Sequence, residues 1–113
     1  MDIRIVGSLG IATILAGCAG TLENPADHFT YRNEPLVQQV DNDMSKQQVL
    51  EIGGPPSSET ARTVQPGTCH DYILTRDGHQ QPYYVSFNSS ARVDGQGFMT
   101  CKMMESNERA RRS

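Results

Sequence analysis

The hydrophobic and polar positions divide the chain into a helical part and a strand part, which meet near Pro56. In the first part Leu36, Val37 and Val40 fall on one side of a helix, which predicts a short helix from about Pro35 to Val40. After Pro56 the chain is richer in strand-forming residues. The pattern therefore predicts a mixed α+β fold.

A second predicted helix has signals at both of its ends. Ser45 can accept hydrogen bonds from the free amides of the first turn, and Gln48 follows three residues later, as in a capping box. Gly53-Gly54 allow the left-handed turn that ends many helices, and Pro55-Pro56 prevent continuation. The short link at 41–43 joins the two helices into a hairpin.

Three strands are predicted after the helices. Cys69 to Thr75 is rich in strand formers, and Tyr83 to Asn88 alternates apolar and polar residues, as a strand with one buried face does. Asp77-Gly78 between them supplies a hairpin turn, because both residues tolerate positive φ. Arg92 to Cys101 is the third predicted strand. We therefore predict a two-helix hairpin packed on a three-stranded antiparallel β-meander, with the other sheet face free.

The beginning of the chain is typical of a secretory signal. Ile5 to Ala16 form an apolar run that is shorter than the roughly 20 residues of a membrane-spanning helix. The run ends in Leu15-Ala16-Gly17-Cys18, which resembles a bacterial lipobox. The resemblance implies a diacylglyceryl thioether on Cys18, cleavage between Gly17 and Cys18, and acylation of the amine that cleavage frees, so that the protein is anchored to membrane lipid. The alternative is a plain signal peptide with a chance cysteine.

The lipobox also sets the predicted location and domain boundaries. Ala19 is not aspartate, and by the enterobacterial sorting rule this favours the periplasmic face of the outer membrane over the inner membrane. We predict a signal peptide over residues 1–17, a lipidated N-terminus and tether over 18–33, a domain over 34–102 and a polar C-terminal tail over 103–113.

Charge and cysteine content narrow the function. The 113-residue chain has a formal net charge of −3, which does not favour nucleic-acid binding. With Cys18 lipidated, Cys69 and Cys101 remain, and the oxidising periplasm predicts a disulfide between them. Two reduced, buried thiols are the alternative. No cysteine has the partners that a metal site needs, so no metal or other cofactor is expected.

The residues around the predicted helices and strands resemble a known family. The matching positions are Met44-Ser45, Gln48-Val49, Pro56-Ser57-Ser58-Glu59, Gly67-Thr68-Cys69, Tyr72-Ile73-Leu74, Arg76-Asp77-Gly78 and Thr100-Cys101. Together they resemble the SmpA/OmlA (BamE-like) domain family, and within it the branch of osmotically inducible, OsmE-like lipoproteins. Asp43 departs from the glycine that usually precedes the methionine, but aspartate tolerates a left-handed backbone.

The resemblance implies an α-α-β-β-β fold, a lipid anchor, a periplasm-facing domain and a link to osmotic stress. We expect a non-enzymatic interaction or scaffold module that supports outer-membrane integrity, with an envelope protein as partner and no small-molecule substrate. The alternative is a small ligand-binding or inhibitor-type domain that uses the free sheet face.

Candidate contact and catalytic residues were sought along the predicted strands and turns. The candidate interaction residues are Tyr72, Asp77, Tyr83, Tyr84, Asn88 and Phe98. No catalytic set is predicted. His70 and Asp71 are adjacent in a strand, so their side chains point to opposite faces and do not share a proton site. Both are expected to be exposed polar residues.

Overall fold

The computed structural model describes residues 23–112, so the predicted signal peptide, Gly17 and Cys18 lie outside the described residues. The four strands of the described part form one antiparallel sheet in chain order, β1-β2-β3-β4. The elements are α1 (Pro25–Thr30), α2 (Pro35–Gln39), α3 (Lys46–Gly53), β1 (Ser58–Ala61), β2 (Thr68–Arg76), β3 (His79–Phe87), β4 (Val93–Gly97) and α4 (Cys101–Arg112).

The helical hairpin forms from the predicted end signals. Ser45 Oγ accepts from the Gln48 amide at 3.1 Å, and Gln48 Oε1 accepts from the Ser45 amide at 2.9 Å, which completes the capping box. Gly54 follows α3 with φ of 74°. Asp43 has a φ of 74° as well, so the left-handed position before Met44 is retained by aspartate.

The sheet has four strands rather than the predicted three. The additional strand, β1, pairs with the first half of β2, from Ser58 opposite Asp71 to Ala61 opposite Thr68. All four β1 side chains are exposed, so no alternation of apolar residues marks it in the sequence. The predicted hairpin between β2 and β3 is confirmed, with φ of 51° at Asp77 and 81° at Gly78.

The predicted third strand is confirmed over Val93–Gly97, but its predicted end and the predicted polar tail are helical. β4 ends at Gly97, and the chain from Cys101 onward forms α4 instead of a strand end and a tail. Thr100 Oγ1 accepts from the Met103 amide at 3.1 Å and caps the first turn. The buried side of α4 consists of Cys101, Met104 and Glu108. Because one of these three is a carboxylate, the sequence lacks the complete apolar pattern from which an amphipathic helix is predicted.

Helices cover both faces of the sheet, so the predicted free face is partly occupied. One face packs against α2 and α3 through β2 and β3 side chains. Its buried members are Tyr72, Leu74, Tyr83, Val85 and Phe87. On the other face, Cys69 packs with Cys101 and Met104 of α4, and Tyr84 lies against them. The Cys69–Cys101 disulfide, with Cα atoms 6.0 Å apart, therefore joins β2 to α4 rather than to a third strand.

The segment predicted as a tether belongs to the domain from Glu23 onward. The Glu23 carboxylate accepts a hydrogen bond from the Phe98 amide. The ring of His28, in α1, lies edge-on to Phe98 with ring centroids 4.8 Å apart. Asn24 caps α1 by accepting from the Ala26 amide at 3.0 Å. A stretch without hydrophobic periodicity is thus held by a cap and by contacts with β4.

Candidate interaction site

Three of the predicted interaction residues are core residues. Tyr72, Tyr83 and Phe98 are 5%, 3% and 4% exposed. The Tyr72 hydroxyl donates to the carbonyl of Gly54 at 3.0 Å, so its polar end is already used. Tyr83 and Phe98 contact each other edge-on, with centroids 4.9 Å apart. Their strand positions face the helical hairpin, so they stabilise the fold and are not available as contact residues.

The other three candidates differ in accessibility. Tyr84 is half-buried in a cleft of about 300 Å³ between the sheet and α4. Asn88 holds a turn, because its Oδ1 accepts from the amides of Ser90 at 2.9 Å and Arg92 at 3.1 Å. Asp77, at the tip of the β2–β3 hairpin, is exposed. Of these three, only Asp77 has an exposed side chain, and its one recorded contact is a long ion pair with Arg76 at 3.9 Å.

A buried cluster of charges fastens α4 to the sheet. Arg62, just after β1, has a side chain that is 1% exposed. Its guanidinium donates to both carboxylate oxygens of Asp94 at 3.0 and 2.8 Å, to Glu108 at 2.7 Å and to the Phe87 carbonyl at 3.2 Å. Burial lowers the pKa of Arg62, but the two carboxylates outweigh it, so that this pKa is raised above its ordinary value. The cluster is a structural clamp in which every charged group faces a partner.

His70 is buried rather than exposed, contrary to the prediction. It is 1% exposed and its ring lies 4.8 Å from the Phe87 ring, centroid to centroid. Nε2 is 3.0 Å from a Glu59 oxygen that also accepts from Lys46 at 2.7 Å, while Nδ1 is buried with no partner. Burial lowers the pKa of His70, and the hydrogen bond to Glu59 opposes this only in part. The predicted separation of His70 from Asp71 is confirmed, since Asp71 accepts from the Cys101 amide beside α4.

We expect the stability of the domain to fall as the solution is acidified, with His70 as the cause. The folded pKa lies below the ordinary 6.5, so the unfolded chain takes up this proton first as pH falls through that value. The free energy of unfolding, from urea titrations at about pH 7.5 and about pH 5.5, should therefore decrease. His70→Gln should flatten this dependence, whereas the matched change His79→Gln, at an exposed hairpin position, should leave it intact. Equal slopes for the two variants would contradict the assignment.

The described residues assemble no metal site and no membrane-spanning helix. No group of three His, Cys, Asp or Glu side chains within residues 23–112 is placed to hold a metal ion. In the same range no helix has the length and apolar character needed to cross a bilayer. Of the histidines, His28 pairs with Glu23 at 3.1 Å, and His79 lies in the hairpin far along the chain from it.

An exposed aromatic residue lies between arginines at the hairpin end. Phe29 is 71% exposed, and the Arg32 guanidinium carbon lies 4.2 Å from the centre of its ring. Phe29, Arg32, Arg76 and Asp77 line a common depression of about 250 Å³, which we call the hairpin patch. Of this set, only Asp77 is among the interaction residues predicted from the sequence. The signal for Phe29 was a lone aromatic residue in a polar stretch, with an arginine three residues later.

Beside the hairpin patch, a groove runs along the edge of β2. β1 pairs with β2 only as far as Asp71, so the edge beyond that residue is uncovered. A depression of about 180 Å³ lies there, which we call the edge groove. Its lining residues are Glu34, Pro35, Leu36, Ile52, Gly53, Tyr72, Ile73 and Leu74. Ile73 is 48% exposed, which is unusual for a large aliphatic side chain in this domain.

The chain matches a known protein family over most of the domain. Residues 30–97 match the family described as "Outer membrane protein assembly factor BamE domain". The match runs from the end of α1 to the end of β4. It therefore includes both predicted helices, the whole sheet, the edge groove and most of the hairpin patch, but not α4.

Curated proteins and solved structures give matches in the same group. The chain is 35% identical, over 94% of its length and 92% of theirs, to "Osmotically-inducible putative lipoprotein OsmE" of Escherichia coli strain K12 and of Escherichia coli O157:H7. It is also similar to a crystal structure of "Putative Osmotically inducible lipoprotein OsmE", with 52% identity and a TM-score of 0.72. That match covers 76% of this chain and 99% of the solved chain.

Proposed function

The chain belongs to the BamE domain family, and from this membership we propose that it is a lipid-anchored, non-enzymatic interaction module of the bacterial envelope. The proposed anchor is a diacylglyceryl group and an N-acyl group on Cys18, since the chain has the lipobox and its relatives carry the name lipoprotein. Two or more acyl chains anchor a protein firmly, whereas one does not. The proposed place is the periplasmic face of the outer membrane, where the module supports membrane integrity under osmotic stress.

The observation that carries an interaction role is the hairpin patch. An aromatic side chain that is 71% exposed, with arginines beside it, has a large surface for contact and no structural neighbour to bury it. Aromatic residues and arginine are also the types enriched in protein interfaces. The polar clusters at Arg62 and His70, in contrast, are turned inward and hold the fold together. A surface contact therefore accounts for the features of this domain better than a reaction does.

Lipidation makes a direct prediction about fractionation. Cys18→Ala should remove the attachment site. The protein should then leave the membrane fraction for the soluble fraction or remain as an uncleaved precursor, and labelling with a radioactive fatty acid should be lost. Cys69→Ala/Cys101→Ala serves as the control, because it removes the other two cysteines together but leaves the lipobox. Continued fatty-acid labelling of the Cys18→Ala protein would contradict the proposed anchor.

The interaction role is tested by photo-crosslinking in intact cells grown at high salt. A photoreactive residue would replace Phe29 or Asp77, with Ser89 as a matched exposed control on a turn at the other end of the sheet. Discrete crosslinked species at Phe29 and Asp77, identified by mass spectrometry as envelope proteins, are the expected result. The proposal fails if both positions give no such species, or if Ser89 gives the same ones.

A further inference from the structure

The backbone of β2 has unused hydrogen-bonding groups next to the edge groove. The carbonyl of Asp71 points outward, since it accepts from the Ser57 amide at 2.8 Å. Backbone groups alternate between the two edges of a strand, so those of Ile73 and Thr75 point to the same outer edge. Opposite Ile73 lies Pro82, which has no N–H to donate across the β2–β3 pair. No hydrogen bond from another element of residues 23–112 reaches Ile73 or Thr75 on this edge.

Within residues 23–112, the segment before β1 leaves this edge open. Going back from β1, Ser57 still donates to the Asp71 carbonyl, but Pro56 and Pro55 before it have no amide hydrogen to contribute to a ladder. Before them, the Gly54 carbonyl accepts from the Tyr72 hydroxyl and so turns toward the helical face instead of toward the strand. β1 therefore stops at the point where β2 still has several residues left to pair.

Two further features restrict what could occupy the edge. The edge groove provides an apolar floor from Leu36, Ile52 and Leu74 on the side of the sheet that carries the helices. At the hairpin end of the same strand, Arg32 and Arg76 line the hairpin patch. Asp77 lines the same patch, with its Oδ2 3.9 Å from Arg76 Nε, so two arginines face one carboxylate and the patch keeps a net positive charge. A second copy that paired antiparallel about Leu74 would place its Asp71 opposite Asp77, and like charges directly opposite each other are destabilising.

We propose that the free edge of β2 binds an extended segment of a partner protein as an additional β-strand. The added strand places an apolar side chain in the edge groove and an acidic side chain beside Arg32 and Arg76. Main-chain hydrogen bonds to Ile73 and Thr75 supply affinity, and the alternate side-chain positions supply specificity. This inference rests on the proposed interaction role and specifies the chemistry of the partner.

The test uses a displayed library of eight-residue peptides and the full chain purified from membranes in detergent. Thr75→Pro removes an outward-facing amide without removing a hydrogen bond to β3, while the matched change Thr75→Val leaves the backbone intact. We expect peptides with an acidic residue and alternating apolar residues to be enriched on the wild type and on Thr75→Val, and to bind Thr75→Pro at least tenfold more weakly. No enrichment, or equal binding to Thr75→Pro, would overturn the proposal.

Backbone methylation of the best peptide tests the same point without any change in the protein. N-methylation of every second amide in one register should weaken binding at least tenfold, and methylation in the other register should change it little. Equal effects in both registers would overturn strand addition.

Sedimentation of the chain alone tests for self-association. A dimer that Thr75→Pro abolishes would mean that a second copy of the chain, rather than a partner protein, occupies the free edge. Crosslinks at Phe29 without any peptide enrichment would keep the proposed function and reject this mode of binding.

Discussion

Replacing Arg62 with alanine is expected to lower the free energy of unfolding by about 3–5 kcal/mol, the usual cost of removing one partner of a buried ion pair. The substitution leaves Glu108 and Asp94 without their shared guanidinium, and the Phe87 carbonyl without one of its donors. The Glu108 side chain is only 9% exposed, so water cannot replace the lost partner well. Urea unfolding at neutral pH, followed by circular dichroism, gives the measurement.

Three further variants distinguish the clamp from a simple loss of side-chain volume. Glu108→Gln keeps the shape and leaves Arg62 with Asp94, so it should cost less than Arg62→Ala. In the double variant the two losses should not add, because both changes remove the same hydrogen bond. Arg62→Lys should be intermediate, since an ammonium cannot reproduce the fork that contacts both carboxylates. A loss below about 1 kcal/mol for Arg62→Ala would show that the cluster does not hold α4.

Removing the disulfide is expected to have the second large effect. Cys69 and Cys101 are separated by 32 positions, and closing a loop of that size is worth about 3–4 kcal/mol in the chain-entropy treatment. Cys69→Ala/Cys101→Ala should therefore lower the free energy of unfolding by about that amount. The packing of α4 is also expected to loosen, because Cys101 is its first residue.

Reduction of the wild type serves as the matched control for the double variant. A reducing agent should destabilise the wild type to a similar extent and leave the alanine variant unchanged. If the reduced wild type unfolds at the same urea concentration as the oxidised protein, the bond does not contribute to stability. Unfolding followed separately by near-ultraviolet and far-ultraviolet signals would show whether α4 detaches before the sheet unfolds.

The parts of the fold that could be predicted from sequence are those with local signals. Three such signals each need residue types that few other local backbone conformations favour. They are the capping box at Ser45 and Gln48, the glycine after α3 and the Asp77-Gly78 turn. The alternation along β3 also predicted the burial of Tyr83, Val85 and Phe87, but not that of Ser86, which α4 and Asp94 cover from the other face. In each case, the side chains and the backbone conformation are determined within a few neighbouring positions.

The parts that could not be predicted depend on contacts between distant residues. β1 is held by backbone pairing with β2 and buries none of its side chains. α4 buries Glu108, which becomes acceptable only because Arg62 reaches it from 46 positions away. The aromatic candidates were ambiguous for the same reason, since a strand tyrosine fits a core as well as a surface. The exposure of Phe29 and the open edge at Ile73 depend on where other segments of the fold end, which no local sequence pattern shows.

The attachment of Glu23 to the Phe98 amide limits how far the domain can stand from its anchor. Cys18 and Glu23 are five residues apart in the sequence. A fully extended chain covers about 3.5 Å per residue, so the two lie within roughly 18 Å of each other. If Cys18 carries the proposed lipid, Glu23 is held within that distance of the headgroups. The domain then reaches only those molecules that come within its own length of the bilayer surface.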